Sequence, residues 1–366
     1  MKNFILKTLS AVLFFTIISG LTNWIIDPFN IFHTTFLKYQ FQMNERFMKI
    51  EYLEKKHNNF NSYLIGSSRI GTTNPKNLDK YIANAKFYNF TVSSATIADE
   101  LRHIQYMIKA NYKIQNLYLQ VDINDNMQTY LQQDSDYLRR PHPYVLDKNI
   151  FSYKLEYLLN LFPFNTKGKI EKNIEGNNDA EYNLDLGTWS RPNKDLRAEQ
   201  DCDKYVKSEP EFAIQNLQSI KNVATKMNFK ALQEIVDLCR KNNINLIVFT
   251  TPHNHNYLDS VYENEYYLFL KELVKITDYW DFSGYNSITT NDCNYYESSH
   301  YRSKIGILIM AKIFNDKTIS LPADFGVKLT KENIESHLEK LRTEREIWRK
   351  AYPQDVAEIE NLDNNK

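Results

Sequence analysis

The residues best suited to chemistry are a serine, a histidine and a glutamate that lie far apart in the sequence. Ser68 belongs to the run GSSR (66–69), which follows an apolar stretch, and His300 follows Glu297 by three positions in YYESSHY (295–301). A hydroxyl, an imidazole that takes its proton and a carboxylate that orients the imidazole are the parts of an acyl-transfer site. We therefore take Ser68 as the candidate nucleophile, His300 as the base and Glu297 as the orienting acid.

Acyl transfer also needs hydrogen-bond donors for the oxyanion that forms on the attacked carbonyl. Ser94 and Asn124 are polar residues that follow the second and third predicted strands. Asn side chains act as oxyanion donors in other enzymes. Alternatively, Asp122 or Asp125 simply ends the third strand.

Other polar residues at the predicted strand ends have less specific patterns. His253 and His255 form a His-x-His pair, which is a weak metal signal without a third ligand. We predict no metal and no cofactor, and we expect both histidines in a loop that either lines the cleft or lies on the surface. Arg69 could contact an anionic substrate, but we expect it in a structural ion pair with Glu297 or Asp281. Asp281 is expected to be a structural acid that forms a turn.

Apolar runs that alternate with helical patterns must position these residues. Alternation of strands and helices predicts an α/β fold with a parallel sheet, here a flavodoxin-like doubly wound sheet of five strands. Ligands of such sheets bind at the carboxyl ends of the strands, so the candidate residues should meet at one edge. The predicted strands are 62–66, 86–90, 115–121, 244–250 and 278–282.

The interval 127–228 has weak periodicity, and we interpret it as a helical or irregular insertion, either a lid or a mobile decoration. The regular pattern resumes at Phe229. The predicted organisation has four parts, which are an anchor at 1–28, a juxtamembrane helical segment at 29–60, an α/β domain at 61–325 that contains the insertion, and a C-terminal helix and tail at 326–366.

Composition excludes one class of partner. The 366 residues include 45 Lys plus Arg and 45 Asp plus Glu, so the formal net charge is zero, and no basic block is present. Nucleic-acid binding needs clustered positive charge, and we therefore expect no nucleic-acid partner.

The cysteines give little information by themselves. Cys202, Cys239 and Cys293 have no partner at metal-ligand spacing, and their odd number rules out complete pairing within the chain. One disulfide remains possible, although the sequence does not choose it. We expect three structural or free thiols.

The N-terminus carries a membrane signal. Residues 9–26 are apolar and uncharged, which is the length that a helix needs to cross hydrocarbon, and Trp24 lies near their far end. Lys2 and Lys7 before the segment and Asp27 after it favour an N-terminus inside and a body outside. A cleaved signal peptide is the alternative, but no small-x-small cleavage site is visible.

The runs GSSR (66–69), DFSGYNSIT (281–289) and YYESSHYRSKIG (295–306), in this order, resemble the SGNH/GDSL hydrolase superfamily. More narrowly, residues 20–350 resemble its membrane-anchored bacterial members, which include relatives of the alginate O-acetylation proteins and of the D-alanyl transfer protein of teichoic acid modification. Within this resemblance, Ser68 matches the nucleophile and His300 the base.

Several positions depart from the pattern of that superfamily. Ser67 stands where Asp is commonest, a substitution also seen in the anchored members. Glu297 replaces the Asp of the Asp-x-x-His block, Ser94 stands where a Gly is usual, and Asn124 follows an acidic residue where a Gly is usual. A longer carboxylate still orients an imidazole, and a backbone N–H needs no glycine to donate if its conformation allows. The resemblance therefore implies an oxyanion hole made by the backbone N–H groups of Ser68 and Ser94, with Asn124 as the third donor.

The resemblance implies a single-pass protein of the cytoplasmic membrane with its α/β domain on the periplasmic or extracellular side. It would be an esterase or O-acyltransferase that acts on a cell-envelope polysaccharide or other acylated glycan through an acyl-Ser68 intermediate, with a membrane acyl-transfer protein as partner. Two alternatives stay open, which are a non-catalytic envelope protein that keeps the fold for glycan binding or assembly, and a metal-dependent hydrolase that uses His253 and His255.

Overall fold

The computed structural model describes residues 1–123, 125–129, 136–160, 164–176, 180–212 and 226–353. Backbone contacts divide the chain into two compact units. Unit 1 combines Met1–Lys55 with Gln132–Glu181, and unit 2 combines Lys56–Leu131 with Tyr182–Lys366. The predicted insertion 127–228 is therefore divided between the two units, and its second part belongs with the α/β core.

Unit 2 is built on an α/β core, with short hairpins and helices added to it. Its helices are α3 (Lys76–Asp79), α4 (Ile97–Lys109), α7 (Pro192–Gln200), α8 (Cys202–Ser208), α9 (Phe229–Lys241), α10 (His255–Asp259), α11 (Glu263–Ile276), α12 (Ser303–Ile313) and α13 (Ile334–Ala351). Its strands are β1 (Ser62–Gly66), β2 (Phe87–Thr91), β3 (Asn116–Gln120), β4 (Glu181–Asn183), β5 (Thr188–Ser190), β6 (Asn245–Phe249), β7 (Tyr279–Asp281), β8 (Tyr295–Glu297), β9 (His300–Tyr301) and β10 (Val327–Leu329).

The main sheet has six described strands in the order β2-β1-β3-β6-β7-β10. The first five are parallel, and β10 pairs antiparallel with β7. The prediction of an α/β fold with a mostly parallel sheet is confirmed. The sixth strand was not predicted, because three residues at an edge leave too short a pattern to recognise.

The strands next to the site are mostly apolar and are buried on both faces, as expected for parallel strands covered by helices. Every residue of β1, β2 and β3 is buried. The covering helices begin at side-chain caps: Thr96 accepts from the backbone N–H of Asp99 at the start of α4, and Asn228 accepts from that of Ala231 at the start of α9. The caps fix where each helix leaves its strand-end loop.

Two short two-stranded sheets stand outside the main sheet. One pairs β4 with β5, and the other pairs β8 antiparallel with β9. In the β8–β9 hairpin, Glu297 lies opposite His300. The turn thus brings two candidate site residues side by side within one local element.

Unit 1 contains four described helices and an aromatic core. The helices are α1 (Lys2–Ile26), α2 (Glu45–Lys56, which ends one residue into unit 2), α5 (Ile150–Leu159) and α6 (Phe164–Glu175). Phe29, Phe47, Tyr153 and Tyr157 pack together in its centre. The buried amide of Asn44 donates to the backbone oxygen of Arg140 (2.8 Å) and to the Tyr157 hydroxyl (3.1 Å).

Helix α1 is long and apolar enough to cross a bilayer. Its 25 residues extend about 37 Å at 1.5 Å per residue. Only its last two turns are covered by protein, at Ser19, Asn23 and Ile26. Among the described helices it alone has this combination of length and composition.

Cys202 and Cys293 form a disulfide with a Cα–Cα distance of 5.7 Å, while Cys239 is a buried free thiol. The expectation of three free or structural thiols was therefore wrong. The two cysteines are 91 positions apart and lie on α8 and just before β8. Because nothing local in the sequence relates these segments, spacing alone could not have chosen this pair.

We expect that opening this disulfide lowers the free energy of unfolding by about 2–5 kcal/mol, because it closes a long loop in the unfolded chain. Urea unfolding of the full chain with and without reductant measures the effect. The double variant Cys202→Ser/Cys293→Ser should unfold at lower urea and no longer respond to reductant. Cys239→Ala is the control, and reductant should destabilise it as it does the wild type. If reductant does not change the free energy of unfolding of the wild-type chain, the expectation is wrong.

Candidate active site

Ser68, His300 and Glu297 meet in the structure although Ser68 and His300 are 232 positions apart. The Ser68 Oγ lies 2.8 Å from the His300 Nε2. The other ring nitrogen, Nδ1, is hydrogen-bonded to the Glu297 carboxylate, whose second oxygen accepts from the His300 backbone N–H at 3.3 Å. With Nδ1–H donating to Glu297, Nε2 is left to accept the hydroxyl proton, which is the arrangement that activates a serine.

The end of β1 places Ser68 through a close contact with β3. Gly66 is the last residue of β1, and a Cβ atom there would lie 2.5 Å from the Gln120 Oε1. The absence of a side chain at Gly66 lets Gln120 approach and accept from the backbone N–H of Ser67 at 2.8 Å. The chain then turns into a short 3-10 segment, Ser68–Ile70, which starts at the candidate nucleophile.

A network of polar side chains stabilises this turn. The buried Ser67 Oγ donates to Asp125 Oδ2 at 2.5 Å, and Asp125 also accepts from the Gln120 amide (3.0 Å) and pairs with Arg69 (3.3 Å). The residues on both sides of Ser68 are therefore tied to the loop after β3, so Ser68 has little freedom to move. Arg69 forms a structural ion pair as expected, but its partner is Asp125 rather than Glu297 or Asp281.

Asp122 lies deeper at the end of β3. It accepts from the backbone N–H and the hydroxyl of Thr251, at 2.8 and 2.6 Å, which joins the ends of β3 and β6. Burial raises the pKa of Asp122 to about 6, although the nearby Arg69 charge opposes the increase. Asp122 thus joins the ends of β3 and β6. This agrees with the alternative interpretation of Asp122 as an acid that ends the third strand.

The histidines after β6 have separate partners. The His253 ring lies 2.7 Å from an Arg69 nitrogen and 3.4 Å from Asp122, and burial together with the Arg69 charge lowers its pKa well below the usual value. His255 instead contacts Asp292 at 3.2 Å. The described residues include no cluster of three or more His, Cys, Asp or Glu side chains arranged to hold a metal ion.

Asp281 has the structural role that was predicted for it. Its carboxylate accepts from the hydroxyls of Thr250 (2.6 Å) and Ser283 (2.7 Å) and contacts the His337 ring at 2.8 Å. These bonds tie the end of β7 to the end of β6 and to α13. No contact of Asp281 with Ser68 or His300 occurs in the described structure.

The segment 192–212 holds the β8–β9 hairpin in place. The Tyr205 hydroxyl donates to the backbone oxygen of Tyr296 at 2.6 Å, directly before Glu297, and the disulfide fixes the chain just before β8. Two further contacts act on the other side of the hairpin. These join Asp195 to Arg302 at 2.8 Å and the Ser298 hydroxyl to the backbone oxygen of Glu211 at 2.9 Å.

Burial opposes ionisation of Glu297, but the positive charge of a protonated His300 and its hydrogen bonds to the carboxylate outweigh burial. Together with the charge of Arg191, they lower the pKa of Glu297 to about 2. The acid is therefore ionised at neutral pH and able to stabilise the imidazolium that forms during acyl transfer.

Trp189 is a site residue that the sequence reasoning missed. Its indole lies edge-on to the His300 ring, with 5.6 Å between ring centroids, and it is buried. It packs so closely on Gly71 that a Cβ there would lie 2.2 Å from the indole nitrogen. The guanidinium of Arg191 stacks over Trp189 at 5.1 Å. A tryptophan within a polar run, TWSRP, was the one available signal.

The structure describes two of the three candidate oxyanion donors, Ser68 and Ser94. Ser68 opens the 3-10 segment after β1. Ser94 follows β2 and has φ +50°, in the left-handed region that favours glycine. The loop that carries Ser94 is joined to the end of β1 by the bond from the Val92 N–H to the Gly66 oxygen, at 3.1 Å. Asn124 lies outside the described residues, and its role stays a prediction.

No family model matches this chain, and no curated protein matches it.

We expect the Glu297–His300 pair to make stability pH-dependent. The pKa of Glu297 is about 2 when folded against an ordinary 4.5, so the stabilisation is fully present above about pH 5 and is lost as the pH falls towards 2. The Glu297→Gln variant lacks this contribution. The gap in unfolding free energy between the two proteins should shrink by about 3 kcal/mol from pH 6 to pH 2.

Urea unfolding at a series of pH values measures this gap. Asp278→Asn, which alters a half-exposed carboxylate away from the hairpin, serves as the control and should follow the wild type. A gap between Glu297→Gln and the wild type that is independent of pH would contradict the paired, ionised state of Glu297.

Proposed function

We propose that unit 2 is an SGNH-type serine esterase or O-acyltransferase that works through an acyl-Ser68 intermediate. The single observation that carries the proposal is the line of hydrogen bonds from the Ser68 hydroxyl through the His300 ring to Glu297. The three groups stand in the order that acyl transfer requires, and they lie at the carboxyl ends of the strands, where ligands of such sheets bind.

In the first half of the reaction, the Ser68 Oγ attacks an ester carbonyl while His300 Nε2 takes the hydroxyl proton. The tetrahedral oxyanion would be held by the backbone N–H of Ser68 and by that of Ser94, with Asn124 as a third donor. His300 then returns the proton to the departing alkoxide, and the C–O bond to that alkoxide breaks. Glu297 stabilises the imidazolium between these two steps, and acyl-Ser68 remains.

In the second half, His300 takes a proton from an incoming hydroxyl group, whose oxygen attacks the acyl carbon of acyl-Ser68. The bond from that carbon to the Ser68 Oγ then breaks, and His300 returns the proton to Oγ. Water as the acceptor gives hydrolysis, and a sugar hydroxyl gives transfer. Both outcomes use the same residues and the same intermediate. The geometry therefore supports acyl transfer through Ser68 as the reaction class. The acceptor determines whether the enzyme is an esterase or an O-acyltransferase.

Three features support placement in the SGNH superfamily. The nucleophile follows the first strand, and the acid and base follow the last parallel strand. The parallel strands have the flavodoxin-like order β2-β1-β3-β6-β7, in which the site lies at the switch point between β1 and β3. Ser94 has the positive φ of a position where that superfamily commonly has glycine.

We further propose that the chain is a single-pass protein of the cytoplasmic membrane with its body outside. Helix α1 is long and apolar enough to span, and Lys2 and Lys7 precede it. A disulfide such as Cys202–Cys293 persists in oxidising compartments, which also favours the outer side. An acylated glycan of the cell envelope, with a membrane acyl-transfer protein as donor partner, fits this location.

We expect Ser68→Ala to abolish turnover of an acetyl-ester chromogenic substrate and labelling by a serine-directed phosphonate, because it removes the attacking oxygen. Loss of activity by at least about 10³-fold is expected for Ser68→Ala and for His300→Gln. Glu297→Gln should lose activity as well, since its neutral amide no longer stabilises the imidazolium. Initial rates and labelled mass of the full chain in detergent measure these effects.

Ser336→Ala is the matched control, because Ser336 is an exposed serine on α13 that bonds only its own helix turn. It should keep wild-type turnover and labelling. Equal background rates in wild type and Ser68→Ala, together with no phosphonate label on Ser68, would contradict the proposal and favour a glycan-binding or assembly protein with the same fold.

We expect a chelator to leave turnover unchanged, because His300 carries every proton transfer in the proposed reaction. The test is the same ester assay after dialysis against EDTA, followed by addition of Zn²⁺ or Mg²⁺. Loss of activity that one of these ions restores would contradict the serine mechanism. His253→Ala and His255→Ala would then show whether a metal-dependent site uses these histidines.

A further inference from the structure

Helix α5 of unit 1 has an apolar stripe on its exposed side. Phe151, Leu155 and Leu159 are spaced by four residues, so they lie along one face. Their exposures are 74%, 40% and 46%. Two charged side chains flank the stripe. Glu156 pairs with Arg140 at 2.6 Å, and the Lys154 ammonium lies over the Phe47 ring at 5.5 Å. An ordinary surface helix would place polar residues along such a face.

The stripe is not the face that α5 uses to pack in unit 1. That face consists of Tyr153 and Tyr157, which are buried against Phe29 and Phe47. Helix α5 therefore has one apolar face covered by protein and a second one left uncovered. A helix that is apolar on both sides needs a second apolar environment.

The C-terminal end of α5 lies against the last turns of α1. The Asn23 side-chain amide donates to the backbone oxygens of Tyr157 (3.3 Å), Leu158 (3.0 Å) and Asn160 (2.6 Å). The last carbonyls of a helix have no partner within the helix, and water satisfies them at an aqueous surface. Here a side chain of the apolar helix supplies the donor, as backbone groups require where water is excluded.

If α1 spans a membrane as proposed, Trp24 lies at the level where α1 leaves the hydrocarbon. It follows Asn23, is 44% exposed and packs edge-on against the exposed Phe36, with 5.6 Å between ring centroids. Aromatic side chains of this kind collect at the boundary between lipid and water. Because Asn23 caps α5 next to this position, the end of α5 lies at the same boundary, and its stripe continues the apolar surface of α1.

We infer that the stripe Phe151, Leu155 and Leu159 of α5 inserts into the lipid surface beside α1. This inference rests on the proposed spanning role of α1. Amphipathic helices of this type bury their apolar face about 5–10 Å into the boundary between headgroups and acyl chains. Leu159, nearest to α1, lies deepest, and Phe151, at the far end of α5, lies shallowest.

The test places an environment-sensitive fluorophore on single cysteines of the full chain. In a Cys239→Ala background with the native disulfide intact, the substitutions are Leu155→Cys on α5, Leu13→Cys within α1 and Ile347→Cys on α13, where Ile347 is exposed. The protein is reconstituted into phosphatidylcholine vesicles that contain lipid with a spin label either near the headgroup or on the acyl chain near the bilayer centre. Quenching by each labelled lipid is compared with quenching by aqueous iodide.

We expect the L155C reporter to be quenched by the headgroup-labelled lipid at least about twofold more than the I347C reporter, and to be protected from iodide. A Phe151→Cys reporter should be quenched less than L155C by the acyl-chain label, following the predicted depth. If L13C is quenched by the acyl-chain label but L155C behaves like I347C with both labels, the inference is wrong, α1 still spans, and a protein partner covers the stripe. If L13C is not quenched by the acyl-chain label either, the proposed anchor fails and the inference fails with it.

Discussion

The contact between the Ser68 hydroxyl and the His300 ring is the constraint on which the rest of unit 2 depends. A distance of 2.8 Å must be maintained between segments separated by 232 positions. The Ser68 side of this contact is fixed by the sheet. The absence of a side chain at Gly66 lets Gln120 approach and accept a hydrogen bond from the backbone N–H of Ser67. The other side is a two-residue turn between short strands, which would be marginal alone in water. Most of the structure that unit 2 adds to its main sheet stabilises this hairpin.

That additional structure lies in the second half of an interval that looks irregular in sequence. Segment 182–212 supplies Trp189 beside His300, the Tyr205 hydroxyl bound to the chain before Glu297, and one half of the disulfide. It therefore acts as a fixed support of the candidate base rather than as the lid or mobile decoration that its weak periodicity suggested. An imidazole that is contacted from several directions keeps its ring orientation. A carboxylate alone would fix this orientation less completely.

The sequence predicted what depends on local patterns. The five parallel strands were recognisable because each is a short apolar run, and Ser68, Glu297 and His300 because their types and positions after strands suit one chemistry. What it could not predict depends on contacts between distant segments. Neither the partner of Cys293 nor the role of Gln120 follows from neighbouring residues, and β10 becomes a strand only because β7 offers it an edge.

Unit 1 follows the same physical rule as unit 2, in that buried polar groups define its structure. The Asn23 amide satisfies three backbone oxygens at the end of α5, and Ser19 and Ile26 are also covered by protein. A cleaved leader would carry these residues away and leave the oxygens without their donor, at a cost of about 1–3 kcal/mol for each buried one. An apolar leader destined for removal has no reason to make such bonds. The contacts therefore support the proposal that α1 stays attached, and they make it a structural helix of unit 1.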